Sequence, residues 1–93
     1  MTQDIQNFIQ YLHQEKQTSA NTEVSYARDL KKMQEYLMAQ GICGAGEVTP
    51  TSLSSYILFL EQAGRKPATI SRSIASMKAF YHYLEKQHKV VSD

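Results

Sequence analysis

Hydrophobic positions recur at helical spacing in four stretches of the chain, and between them the sequence turns polar or glycine-rich. Over residues 3–16, Ile5, Phe8, Ile9 and Leu12 form one apolar stripe. Gln17-Thr18-Ser19 interrupts it, with Ser19 placed to cap a second helix over 20–39. There Glu23, Tyr26, Ala27, Leu30, Met33, Gln34 and Leu37 share one side, while Asn21, Ser25, Arg28 and Lys32 lie opposite. The run Gly41-Ile42-Cys43-Gly44-Ala45-Gly46 stops this helix and predicts a loop. Thr49-Pro50 opens a third helix, with threonine as cap and proline at the first position, where its missing N–H costs nothing. That helix carries Leu53, Tyr56, Ile57 and Leu60 inward, and Gly64 ends it. Pro67 starts a fourth, running to about residue 87, with Ile70, Ile74, Met77, Tyr81 and Leu84 on one face. Its other face carries Thr69, Arg72, Ser76, Ala79, Tyr83 and Lys86. No pair of alternating strands with a turn between them is visible, so the fold class is all-α.

Ninety-three residues support one core, and a hydrophobic content of 42% is that of a globular chain. The sequence begins without the basic start and apolar run of a signal peptide and holds no apolar stretch of spanning length. It therefore reads as a soluble cytoplasmic domain. Cys43 has no second cysteine to pair with, so no disulfide framework is expected within the chain.

A formal net charge of +1 conceals an asymmetry. Residues 1–64 hold four basic residues against seven acids, a net −3, whereas 65–89 hold six against the single Glu85, a net +5. Such a split suggests one surface facing a polyanion. The exposed side of the second helix contributes Arg28 and Lys32, and the start of the fourth contributes Arg65, Lys66 and Arg72.

The order of motifs adds a resemblance. Thr18-Ser19-Ala20-Asn21-Thr22, followed by Ser25-Tyr26 and Asp29-Leu30, looks like the start of the second helix in tyrosine recombinases and phage-type integrases. Lys66-Pro67-Ala68-Thr69-Ile70-Ser71-Arg72, continued by Ile74, Ser76, Met77, Lys78, Phe80, Tyr81, Tyr83 and Leu84, resembles the last long helix of the same N-terminal core-binding domain. Val48-Thr49 leading to Leu53, Tyr56 and Ile57 agrees in place, and the Xer-like branch is among the most similar. The resemblance implies a SAM-like orthogonal bundle of four helices that forms one half of a clamp around duplex DNA. It implies a core-binding domain over 1–88, and residues 89–93 as the start of a linker to a catalytic domain outside these 93 residues. A tetramer on DNA is the implied assembly of the full-length protein.

On that basis the candidate DNA contacts are Asn21, Thr22, Ser25, Arg28, Lys32, Arg65, Lys66, Thr69, Arg72, Ser73 and Ser76. Arginine and lysine neutralise phosphates, small hydroxyl residues let a helix approach closely, and a helix N-terminus near Thr69 favours an anion. Arg72 is the residue expected to reach a guanine edge in a major groove about 12 Å wide. No catalytic residue, metal or cofactor is expected. In the family the nucleophilic tyrosine belongs to the catalytic domain, and Tyr26, Tyr56 and Tyr81 here fall on apolar stripes. His13, His82 and His88 lack metal-ligand spacing, and the glycine run is no phosphate loop, since neither a preceding strand nor a following Gly-Lys-Ser/Thr is present. The competing function is a helical protein-interaction module of the same fold, which the near-zero net charge favours. A helix-turn-helix repressor fragment fits less well, because it needs a short recognition helix after a tight turn.

Overall fold

The computed structural model describes residues 1–87, and among these the chain forms four α-helices and one short 3₁₀ turn. They are α1 (Thr2–Glu15), α2 (Ala20–Ala39), α3 (Pro50–Gln62) and α4 (Pro67–Lys86), with the 3₁₀ turn at Ala45–Glu47. The proposed linker at 89–93 lies outside the described residues, as does His88.

Local chemistry fixes the helix ends. The Ser19 hydroxyl accepts the Thr22 N–H at 3.2 Å. Thr49 and Ser52 cap each other: Thr49 Oγ1 accepts the Ser52 N–H at 3.1 Å, and Ser52 Oγ accepts the Thr49 N–H at 3.0 Å. Gly41 and Gly64 take the left-handed conformation (φ +86° and +75°) that ends α2 and α3. The following amides then reach back to helix carbonyls, Ile42 to Leu37 at 2.8 Å and Arg65 to Leu60 at 3.2 Å. The 3₁₀ turn is absent from the periodicity because it is held locally. The Glu47 carboxylate accepts the backbone N–H groups of Cys43 and Gly44, at 3.0 and 3.4 Å.

The core is one continuous cluster. Ile5, Phe8 and Leu12 of α1 meet Leu30, Met33 and Leu37 of α2, Tyr56 and Leu60 of α3, and Met77, Phe80 and Leu84 of α4. Ala45 and Val48 close it under the α2–α3 connection. Phe8 packs on Phe80 and Tyr83 with ring centroids 5.4 and 5.5 Å apart, and Tyr11 lies 5.2 Å from Tyr83. Tyr83, read from sequence as part of the polar face, is therefore half-buried against α1.

The buried arc of α4 is displaced from the one the pattern indicated. Ser73 and Ser76 are buried, at 3% and 0% exposure, whereas Ile70, Ile74 and Tyr81 are only half-buried. The physical reason is that α4 contacts α1, α2 and α3 at once. Small serines inside this three-sided contact let helix backbones approach, and Ser76 satisfies its hydroxyl by donating to the Ser73 carbonyl at 3.0 Å. Ile74, expected in the core, instead lines a groove between α3 and α4 of about 610 Å³, together with Leu53, Ile57, Met77 and Tyr81.

Candidate nucleic-acid interface

One feature ties the exposed sides of α2 and α4 together. Asp29 sits on α2 beside Leu30, at the border between the apolar stripe and the polar side, and is only 4% exposed. A buried carboxylate needs a partner, since an unpaired buried charge is strongly disfavoured. Arg72 of α4 supplies it with two parallel bonds: Nε donates to Oδ2 at 2.8 Å, and Nη2 donates to Oδ1 at 3.2 Å. The Arg72 side chain remains 43% exposed. Hydrogen bonding to Asp29, and next the carboxylate's charge, raise the Arg72 pKa above the ordinary guanidinium value, while desolvation opposes the shift. Burial lifts the Tyr56 phenol above its ordinary range, with the Asp29 charge second and Arg65 acting in the opposite direction.

The other sequence-derived candidates distribute around this ion pair unequally. On α2, Asn21, Arg28 and Lys32 are exposed, while Thr22 and Ser25 are half-buried. At 100° per residue, Ser25, Lys32, Asn21 and Arg28 fall successively further round α2 from Asp29, all on its solvent side. Arg65 and Lys66 are exposed in the α3–α4 connection, and Thr69 is half-buried in the first turn of α4. Among the described residues, Arg28, Lys32, Arg65 and Lys66 enter no salt bridge, whereas Arg72 is paired with Asp29.

Two candidates are corrected. Ser73 and Ser76 face the interior of the bundle and offer no hydroxyl to an external phosphate. Ala68, Ser71 and Ala75, by contrast, are small and exposed on the side of α4 that carries Arg72. Asp29, which ties α2 to α4, is not among the contact residues the sequence singled out. The available signal was an acid adjoining Leu30 on the margin of an apolar stripe; its partner, 43 positions away, is a matter of tertiary structure.

Cys43 is exposed, and the described residues hold no cluster of histidine, cysteine, aspartate and glutamate that could bind a metal ion. No helix among them is long and apolar enough to cross a membrane.

Comparison with known proteins yields a consistent set of relatives. Residues 5–88 match the family model for the phage integrase N-terminal SAM-like domain. A protein named as a tyrosine recombinase in Caldanaerobacter subterraneus subsp. tengcongensis is 41% identical over 88 residues, covering 92% of this chain and 29% of the relative. Tyrosine recombinase XerD of Listeria monocytogenes is 31% identical over 90 residues, covering 96% of this chain and 30% of the relative. Tyrosine recombinase XerC of Herpetosiphon aurantiacus is 28% identical over 93 residues, covering 100% and 30%. The chain thus spans less than a third of the length of these relatives. No solved structure matches it.

Proposed function

The chain belongs to the phage integrase N-terminal SAM-like domain family, and on that premise we propose that it binds duplex DNA through the exposed sides of α2 and α4. The observation that carries this reading is the Arg72–Asp29 bridge, which joins α2 and α4, together with exposed Arg28 and Lys32 on the solvent side of α2 and exposed Arg65 and Lys66 just ahead of α4. Cations without internal partners are free to replace the counterions of a phosphate backbone. Asn21, Thr22, Ser25 and Thr69 are the polar residues that accompany them. The backbone N–H groups of the first turn of α4, opened by Pro67, add a dipole favourable to phosphate near Thr69.

In this proposal residues 1–88 are the DNA-gripping half of a clamp in a site-specific tyrosine recombinase. The segment 89–93 leads toward a catalytic domain on the opposite side of the duplex. That domain, and not these 93 residues, cleaves and rejoins strands, and full-length copies assemble as a tetramer on DNA. The setting is the cytoplasm. No cofactor is assigned to the 93 residues.

One observation favours a second reading. The α3–α4 groove is lined mainly by apolar side chains, as a protein-interaction module would require. Titration of a labelled duplex with the chain, repeated between 50 and 200 mM salt (roughly the range over which phosphate contacts are felt), separates the two. With about four phosphate contacts, log K is expected to fall against log salt with a slope of about −3.6, from weak binding of about micromolar strength. Absence of salt-sensitive binding at the low end of that range would leave the interaction-module reading in its place.

A further inference from the structure

We propose that Arg72, held from behind by Asp29, reads a guanine in the major groove and gives the domain a base preference at one position. This rests on the DNA-binding reading and sharpens it, because a duplex can be bound through phosphates alone.

A guanidinium carries five N–H donors in a rigid plane. Asp29 takes the Nε–H and one of the two on Nη2. Three remain, and two of them, one on each terminal nitrogen, lie parallel along the outer edge. That edge matches the O6 and N7 acceptors of guanine. Adenine offers N7 beside an N6 amino donor, which would oppose one of the two N–H groups, so the arrangement discriminates between purines. The carboxylate that fixes the plane is 4% exposed and the Arg72 side chain 43%, so the anchor is internal and the free edge is on the solvent side. Because the pair fixes the guanidinium before binding, less side-chain freedom is lost when a base is engaged. Ala68, Ser71 and Ala75 are exposed beside Arg72 and would let α4 enter the groove without bulky obstruction.

Charge argues against phosphate as the main target of this arginine. Arg72 and Asp29 together are neutral, so their contribution to counterion release is small. Arg28, Lys32, Arg65 and Lys66 carry their charge without a carboxylate partner among the described residues and are better suited to phosphate. Asp29 is accordingly a positioning residue, acting through Arg72.

Selection from a random-sequence duplex pool tests this, using the 93-residue chain and sequencing the bound fraction. The wild type is expected to enrich one guanine over the other bases by roughly 5- to 150-fold, the range of a good bidentate contact. Arg72→Gln offers one donor beside one acceptor, the pattern that pairs with adenine and not guanine, and is expected to retain binding through the other cations while losing that enrichment; Arg72→Ala should lose it too. Asp29→Asn, which leaves Arg72 with one neutral acceptor where it had two charged ones, is expected to reduce the enrichment several-fold. A ratio between bases in the bound fraction does not depend on how much protein is folded, so a merely structural role for Asp29 would leave it unmoved. Duplex binding by the wild type with no base enriched, or a guanine enrichment that survives Arg72→Gln and Arg72→Ala, overturns the proposal and leaves the DNA-binding reading intact. Recovery of no duplex at all overturns both.

Discussion

Replacing Phe80 by alanine is expected to cost about 3–5 kcal/mol, the usual penalty for removing a fully buried aromatic ring. Phe80 is 1% exposed and its ring packs against Phe8, itself 1% exposed, across the α1–α4 contact. Truncation removes the buried area of the ring, leaves a cavity that the neighbours fill only in part, and forfeits the aromatic pair. A single domain has a total stability on the order of 5–15 kcal/mol, so a fifth or more of the margin would disappear. Ile74→Ala is the informative contrast. The sequence pattern places Ile74 on the apolar stripe, and full burial would imply about 2–5 kcal/mol. Half-buried on the rim of the α3–α4 groove, it is expected to cost about 1 kcal/mol. Urea denaturation of the two variants checks the order, and equal losses would contradict the placement of α4.

The second large effect concerns binding without stability. Changing both Arg28 and Lys32 to glutamine is expected to weaken duplex affinity on the order of 50-fold at 0.1 M salt and to flatten the log K–log salt slope by about 1.8. Each phosphate contact contributes about 0.9 to that slope, and these two side chains are exposed and without salt bridges among the described residues. For the same reason the thermal midpoint should barely move, since surface substitutions of this kind usually stay within about 0.5 kcal/mol. Lys16→Gln at the far end of α1 also removes a cation, but lies outside the proposed surface and should change affinity only slightly. If Lys16→Gln weakens binding as much as either substitution on α2, the attraction is set by overall charge and not by this face.

Much of the architecture was visible in the chain itself. The Ser19 and Thr49 caps, the prolines at positions 50 and 67 and the glycines at 41 and 64 act within a few residues, so they can be read locally and they set the helix ends. The stripes of α1 and α2 predicted the buried Ile5, Phe8, Leu12, Leu30, Met33 and Leu37 because each helix buries one continuous arc. The pattern misled on α4 because serine is scored as polar wherever it occurs. Ser73 and Ser76 are inside because their small size suits close helix packing and their hydroxyls can bond within the helix. For the site, the free cations were legible from charge and spacing, whereas the Asp29–Arg72 bridge depends on the crossing of two helices distant in sequence. The family motif contained Asp29 without indicating what it holds.

The central claim is that α2 and α4 present one DNA-binding surface, and chemical-shift mapping of the isotopically labelled chain with added duplex tests it most directly. The perturbed amides are expected to concentrate at Asn21, Ser25, Arg28 and Lys32 on α2 and at Arg65, Lys66, Thr69 and Arg72 around the start of α4. Perturbations centred instead on Leu53, Ile57, Ile74 and Tyr81, with the α2 positions unmoved, would contradict it.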